Sequence, residues 1–516
     1  MSAKKKTRIL AAAVAAYLLV LLALVLAESG SPDSGIRSFG DALWYSVITL
    51  TTVGYGDLYP VTPAGKVLGT VLALCSVGVL SALIGLILSL LNGRFLPGLK
   101  IRRGRGKTWY VFPEASEDAC TLAGELLQEE NALCVFLQDK GSAAAILPEA
   151  VYYSADMGEV MRLRGGDREG IACFFMGKDE DSNYIAALEA AREGLTTYCM
   201  TDLHAGSQEA PKNLHVFSRS ECISRSYWKE HPLRDEETDI VLIGCGAVGR
   251  ALMERALLIN VTGRTLPVSY HVFGRQEETE VFVRFHSAIT ADLTAGTPGE
   301  DRLALHTDGW MKERDLLEKA GRIIVCADTE AENLDVLAAL RSWYAPQGAL
   351  HVYCGAQIPG VTAFGGREAI VTKELVIRKA LNQQAVKLHE IYSRGAAQPV
   401  PWEALSDFLQ QSNIAAADHL AVKIRFLLGD GTLTEVTPAL CERAYKVYCG
   451  LSEPDKERCR EMEHRRWMRF HRLYNWAYAP VRDNARRRHP MLLPYRDLSR
   501  EDQLKDSYAW EMLGEL

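Results

Sequence analysis

Two long apolar runs open the chain, and no later run matches their length. The first, Ile9 to Ala27, is almost wholly apolar and follows Lys4, Lys5, Lys6 and Arg8. The second runs from Val67 to Leu91 and leads into Arg94, Lys100, Arg102, Arg103, Arg105 and Lys107. Each is long enough to predict a membrane-spanning helix, the second with some tilt. A signal peptide also begins with lysines, but its apolar core is typically about 7 to 15 residues, so a retained helix is expected. Cations flanking both runs put the amino end, and everything after the second run, on the cytoplasmic side. Between them Glu28 to Arg37 is short and polar, with Gly, Ser, Pro and Asp. Ser38 or Asp41 then predicts the cap of a short helix through Leu50, dipping into the membrane with Trp44 and Tyr45 wedged against its neighbours.

From Thr108 short apolar runs alternate with helical segments. Strands are expected at Trp109–Phe112, Leu133–Leu137, Ile171–Met176 and Thr197–Met200, with helices near Ala119–Glu129 and Tyr184–Glu193. That alternation predicts a parallel sheet. The turn after its first strand, Pro113-Glu114-Ala115-Ser116, lacks glycine. A second unit starts at Asp239–Ile243 and runs directly into Gly244-Cys245-Gly246-Ala247-Val248-Gly249 and a helix to about Leu258. Strand, glycine turn and helix in this order form the dinucleotide fingerprint, in which glycines let a pyrophosphate approach the helix amino terminus. Further strands are expected at Ser269–Phe273, Ile323–Ala327 and Ala349–Tyr353. The second strand ends in Gly274-Arg275, where a ribose-binding carboxylate would usually stand, and Arg275 suits a phosphate better. Two readings stay open: a nucleotide at Gly244, Gly246, Gly249 and Arg275, or glycines used only for close strand–helix packing.

A helical pattern continues past Ala380 to Tyr392, and after Pro399 and Pro401 a helix-rich segment runs from Trp402 to Tyr448. The last stretch interleaves aromatics with cations: His464 to Trp467, Tyr474 to Pro480, Arg482-Asp483, Arg486 to His489, and Pro490 to Tyr495. A planar anionic ligand would find rings to stack on and guanidinium groups for its phosphates. The same aromatics also serve a segment so short as a core, and the two roles are compatible. The organisation expected is a two-span membrane segment at 1–100, α/β domains at 107–235 and 236–395, a helical connector at 396–450 and a small aromatic and basic domain at 451–516.

The chemistry of the amino-terminal part lies in Thr51-Thr52-Val53-Gly54-Tyr55-Gly56-Asp57, between the two runs. Rings of backbone carbonyls from four such loops replace the hydration shell of K⁺. Gly54 and Gly56 permit backbone angles that a Cβ forbids, so successive carbonyls turn to one axis. The Thr52 hydroxyl adds another oxygen, and Val53 and Tyr55 pack outward to hold the ring open. One chain cannot close a ring, so a homotetramer is expected. Ile9 to about Leu91 resembles the potassium-channel pore family in its two-span form, with Thr52, Val53, Gly54, Tyr55, Gly56 and Asp57 as selectivity filter and K⁺ as permeant ion. No Arg-rich segment precedes it, so steep voltage gating is not expected. Any of Gly69, Gly78 and Gly85 in the second run is a candidate bend or a packing site.

Two Rossmann-like units behind a pore resemble the regulator-of-potassium-conductance (RCK) domains of ligand-gated potassium channels. In that family eight such units form a cytoplasmic gating ring, which two per chain in a tetramer would supply. Glu461 to Leu513 resembles the small repeat (RyR) domain of ryanodine receptors. The resemblance is carried by Trp467, by Trp476, Tyr478, Pro480, Arg482 and Asp483, and by His489-Pro490 with Leu493-Pro494-Tyr495. Candidate ligand residues there are Trp467, Trp476, Tyr478, Arg482, Asp483, Arg486, His489 and Tyr495.

Composition narrows the classes. With 58 Lys and Arg against 65 Asp and Glu, the net charge of −7 gives no case for nucleic acid as a partner. Twelve cysteines lie scattered with no Cys-x-x-Cys, so disulfides and structural zinc are not expected, and no metal site is expected beyond K⁺ in the filter. The fold class expected is an α-helical membrane pore, two spans plus a pore helix per chain, then two α/β Rossmann-like domains and a small helical carboxy-terminal domain. The function expected is a potassium-selective, ligand-gated channel of the inner or plasma membrane, with both termini cytoplasmic. It is not an enzyme, and its ligand is a small nucleotide-like molecule. The rivals are a membrane-tethered nicotinamide-dependent oxidoreductase, which lacks a catalytic set beside the glycine turn, and a nucleotide sensor with a non-conducting pore.

Overall fold

The computed structural model describes residues 3–90, 95–139, 147–166, 168–202, 210–264, 266–296, 299–394 and 398–516. Side chains at 3–14, 75–80, 82–83, 86–87 and 89–90 are outside that set. The chain divides into two compact units, Met1–Arg103 and Gly104–Leu516.

The first unit is helical: α1 Ala3–Glu28, α2 Phe39–Leu50, α3 Pro63–Leu90 and α4 Leu96–Arg103. Among the described residues no helix is long and apolar enough to cross a membrane. Much of the two expected spans, positions 9–14, 75–80 and 91 included, lies outside the described side chains. Leu21, Leu24, Ile36, Ala42 and Leu72 form the core where α1, α2 and α3 meet. The short helix starts as its sequence predicts: Ser38 accepts from the Asp41 amide, and the Asp41 carboxylate accepts from the Ser38 amide at 2.8 Å. The basic stretch expected to be linker is partly helical, because α4 carries Lys100, Arg102 and Arg103 in its last turn and ends just before Gly104. Arg94 lies outside the described residues.

The second unit holds two six-stranded sheets whose strand pairings among the described residues are all parallel. The first comprises β1 Thr108–Phe112, β2 Ala132–Phe136, β3 Val151–Tyr152, β4 Ile171–Phe175, β5 Thr196–Met200 and β6 Leu214–Phe217. Its order is β3-β2-β1-β4-β5-β6. The second comprises β7 Asp239–Ile243, β8 Ser269–Phe273, β9 Arg302–His306, β10 Arg322–Val325, β11 Ala349–Tyr353 and β12 Thr362–Phe364. Its order, β12-β11-β10-β7-β8-β9, is the same pattern counted from its own first strand. Both are Rossmann-like doubly wound sheets. Four edge strands escape the hydrophobic pattern: β3 and β12 are very short, β6 is only four residues long, and β9 is bounded by Arg302 and His306.

Register organises the first core. Phe112 pairs with Phe136 and Phe136 with Tyr152, while Phe174 pairs with Tyr198. Their rings stack on one face at centroid separations of 5.0, 5.3 and 4.8 Å, and Phe112 meets Phe174 at 5.0 Å. The sheets share an apolar core, where the helices Arg219–Glu230 and Ala247–Ile259 pack together and Trp228 Nε1 donates to the Leu252 carbonyl at 2.9 Å. Buried ion pairs fix the joint. Arg322 holds Glu237 through two hydrogen bonds of 2.7 and 2.8 Å and also donates to the His231 and Pro232 carbonyls. Arg225 grips Asp418 at 2.9 and 3.0 Å, and Arg255 reaches the same carboxylate at 3.0 Å. Such pairs strongly oppose loss of either partner, which would leave a buried charge.

Helices Gln383–Ser393, Asp407–Asp418, Leu420–Leu428 and Pro438–Gly450 come next in the chain. The terminal segment is the helix Glu453–Leu473, a two-residue pair of strands (Ala477–Tyr478 with Arg488–His489) and short helices to Gly514.

Candidate functional site

The filter loop is tied to the helix that precedes it. The Ile48 carbonyl accepts from the Val53 and Gly54 amides at 3.0 and 3.1 Å, and Thr51 Oγ1 donates to the Val47 carbonyl at 2.8 Å. At the other end Trp44 Nε1 donates to Asp57 Oδ2 at 2.9 Å, and the Trp44 ring stacks with Tyr55 at 6.3 Å and 7°. Between these anchors φ is positive at every second residue: 61° at Thr52, 55° at Gly54 and 73° at Gly56. Alternating handedness turns successive peptide groups to the same side, whereas an extended strand would send them to opposite sides. A left-handed β-branched residue such as Thr52 costs about 1–2 kcal/mol, a strain of the kind that clusters at functional sites. Val53 and Tyr55 are 52% and 70% exposed on the single chain.

One residue of this unit was not singled out by its pattern. The Glu28 carboxylate, buried, accepts from the Val61 and Thr62 amides at 3.1 and 3.0 Å and from Thr62 Oγ1 at 2.7 Å, closing the start of α3. Gly65 is required beneath it, since a Cβ there would lie 1.8 Å from Glu28 Oε1. The available signal was a lone carboxylate ending an apolar run, with Thr-Pro opening the next. Gly69 is a packing site, because its Cβ would meet Tyr45 Oη at 2.9 Å and Pro60 Cγ at 3.0 Å, while nothing lies within 4 Å at Gly85. Gly78 is among the positions whose side-chain surroundings are not described.

The glycine turn of the second sheet is as tight as its sequence implies. Gly244 has φ 121°, and a Cβ on it would lie 2.5 Å from the Ala327 amide nitrogen. A Cβ on Gly249 would lie 2.1 Å from the Gly244 carbonyl oxygen. Both are therefore needed for backbone packing alone. Gly246 differs: it is the N-cap of Ala247–Ile259 with no side-chain cap, and its missing Cβ would fall 1.7 Å from Asp328 Oδ1. Asp328 thus lies over the helix start, and Arg275 bridges to it at 3.0 Å while donating to Glu278 Oε1 at 2.6 Å. The Glu278 and Asp328 carboxylates hold the Arg275 guanidinium above its ordinary pKa. Asp328 was missed in the sequence because it comes after the fourth strand of the unit, far along the chain from the turn it covers.

The terminal aromatics divide into two groups. Trp476, 5% exposed, packs on the Phe408 ring at 5.2 Å, and Tyr495 is buried with its hydroxyl accepting from Arg460 Nε at 3.2 Å. Trp467 lies 4.0 Å from the His471 ring and 4.9 Å from that of His489. Burial keeps the His471 imidazole neutral, pushing its pKa down to about 3, and also lowers that of His489, beside Arg482. The exposed group is different. Tyr478 is 48% exposed, and Pro480, Arg482, Asp483, Arg486 and Arg488 line an open recess. There Asp483 accepts from the Arg486 amide at 3.0 Å and Arg482 Nε donates to Asn484 at 2.8 Å. Three guanidinium groups line one opening, and Tyr478 precedes its lining residues in the chain.

Residues 9–92 match a family model described as "Ion channel". A voltage-gated potassium channel of Aeropyrum pernix is 49% identical over 63 residues, 12% of this chain and 21% of the relative. Potassium voltage-gated channel subfamily A member 10 of Mus musculus is 41% identical over 70 residues, 14% of each chain. The chain therefore spans about a fifth or less of the length of these curated relatives. Among solved structures, "Crystal structure of the GsuK bound to ADP" covers 72% of this chain and 98% of its own at 16% identity and TM-score 0.35. "GsuK channel bound to NAD" covers 75% and 86% at 13% identity and TM-score 0.36, and a likeness of that size carries no weight for a ligand. The sequence matches establish the resemblance of residues 9–92 to potassium-channel pores. The two parallel sheets establish the Rossmann-like layout of the second unit.

Proposed function

We propose that the chain is a potassium-selective channel whose pore is gated by a small nucleotide-like ligand on its cytoplasmic part. The observation that carries this is the alternation of left-handed residues at Thr52, Gly54 and Gly56 behind a capped helix, within the region that matches ion channels. Four copies would bring these loops round one axis, and the exposed Val53, Tyr55, Val47 and Leu43 supply apolar surface for such neighbours. In this reading α1 and α3 cross the bilayer of an inner or plasma membrane, both termini are cytoplasmic, and residues 1–100 form the pore. Residues 107–235 and 236–395 are the regulatory α/β domains, 396–450 the connector and 451–516 an RyR-like ligand domain.

Two places are suited to the ligand: the uncapped helix start at Gly246 with Arg275 beside it, and the exposed recess of Arg482, Arg486 and Arg488 that follows Tyr478 in the chain. A ligand moves the pore only by the difference in its binding to closed and open states, and a few kcal/mol changes the open fraction by orders of magnitude. Purified protein in liposomes should pass K⁺ and exclude Na⁺, and Gly56→Ala should abolish selectivity or conduction. Equal Na⁺ and K⁺ flux through the unmodified protein overturns the reading. Absence of any flux, with nucleotide binding intact, favours a sensor with a non-conducting pore.

A further inference from the structure

Away from the filter, the glycine turn and the terminal recess, cations converge at a fourth place. The loop after the helix Ala247–Ile259 runs through Asn260 and Thr262 to Arg264, and the helix Glu453–Leu473 brings Arg465 and Arg469 beside it. Together with Asp301, just before β9, they line a recess of about 20 Å³. Gly263 fixes the loop, since a Cβ there would strike the Phe426 ring at 2.1 Å.

The hydrogen bonds of this recess are incomplete in one direction only. Arg264 Nη2 donates to the Asp235 and Glu237 carbonyls at 2.6 and 3.0 Å, but its Nε and Nη1, both buried, have no hydrogen-bond partner among the described residues. Buried donors of a charged group left unmatched cost several kcal/mol. Arg469, 7% exposed at its side chain, lies 2.8 Å from Asp301 Oδ2 and 3.9 Å from the half-exposed Glu300. The other Asp301 oxygen is taken by the Val268 amide at 2.8 Å. Arg465 has only the exposed Glu461, at 4.0 Å, among the described residues. Three guanidinium groups therefore line one recess with a single carboxylate, Asp301, already engaged on both oxygens.

Size and donor chemistry select the occupant. The enclosed volume suits one small body, about as large as a water molecule, better than a phosphate group. Water accepts two hydrogen bonds and must place two hydrogens of its own, whereas the unmatched groups here are donors. A monatomic anion accepts from all of them and offsets the excess positive charge. We propose that this recess is a chloride site, held by Arg264, Arg465 and Arg469, that fastens the terminal helix to the second sheet.

The test is thermal unfolding of the full-length channel in detergent, with potassium chloride replaced by potassium gluconate at equal ionic strength. Chloride binding only the folded state should raise the melting temperature by about 2 °C or more. Arg465→Ala, at a partly exposed side chain, should fold and melt like the parent in gluconate and lose the chloride shift, whereas Arg264→Ala, which also gives up its bonds to the Asp235 and Glu237 carbonyls, should melt lower in both salts and lose the shift too. The same chloride shift in both variants, or none in the parent, overturns the proposal and leaves the recess to water. The filter sees the same K⁺ in both salts, so this outcome is independent of whether the pore conducts.

Discussion

In the first sheet the chain leaves β1 through Pro113-Glu114-Ala115 to Ser116, which accepts from the Ala119 amide at 3.0 Å and donates to the Met176 carbonyl at 2.5 Å. In the second it leaves β7 through Gly244 and Cys245 to Gly246, and the helix after it begins with no side-chain cap. The first connection is one residue longer, and Ala119 stands at the helix position that Gly249 takes in the second unit. At the third residue beyond the fourth strand of each unit the charge is opposite: Lys178 follows Gly177, and Asp328 follows Ala327. One helix start is chemically finished by its own side chain. The other has no side-chain cap among the described residues and lies under an acidic cover, and this contrast makes the second turn the better candidate for an anionic ligand.

The comparison breaks most completely at Gly249. Gly249→Ala drives a methyl to 2.1 Å from a backbone oxygen that cannot step aside, and should cost more than about 3 kcal/mol. Chemical denaturation should report loss of the second sheet. If Gly249→Ala melts like the parent, close packing is not what the glycines secure.

A smaller effect tests what the sheets share. Asn183 clasps Gly177 through both its oxygen, at 3.0 Å, and its nitrogen, at 2.8 Å. Asn333 clasps Ala327 in the same way at 2.7 and 3.1 Å, and also donates to the Tyr353 carbonyl at 2.9 Å. Each Asn→Ala change leaves buried backbone groups unmatched and should cost roughly 2 kcal/mol, Asn333 somewhat more. Denaturant midpoints of the two variants would show whether the clasp is equally important in both units. Smaller again, Ser116→Ala should cost about 1 kcal/mol, as for an ordinary N-cap, and leave any nucleotide response intact.

Most of this contrast is legible in the sequence, and the reason is local. Strand, turn and helix at Asp239–Ile243 and Gly244–Gly249 are specified by neighbours in sequence, and so is the Ser38–Asp41 capping box. The filter is equally local, its three left-handed residues falling within Thr52–Gly56. What escaped depends on distance along the chain. Asp328 reaches the glycine turn from beyond the fourth strand, and Glu28 closes a helix more than thirty residues away. The terminal aromatics lie between these cases. Their presence was plain, but the ring that Trp476 packs on, Phe408, comes from far earlier in the chain.

The smallest change expected to alter ligand behaviour is Asp328→Asn, which keeps the shape over Gly246 and removes its charge. In the structure the carboxylate sits where a ligand phosphate would approach the helix start, and it holds Arg275 at 3.0 Å. A phosphate arriving there meets a like charge and must compete for the guanidinium. Both groups are substantially exposed, with Arg275 67% and Asp328 44% accessible at their side chains, so solvent screens the pair and stability should barely change. The effect on the ligand is larger, because the phosphate lies nearer to residue 328 than bulk ions do and gains a released Arg275 as well. Asp328→Asn should therefore tighten binding of a nucleoside diphosphate by about threefold to fivefold, measured by calorimetry on the full-length protein, with the affinity gain shrinking as salt is raised. Arg275→Gln should weaken it by a similar factor. If Asp328→Asn weakens binding instead, the carboxylate is a ligand-binding group rather than a competitor, and the second turn is built for a ribose after all.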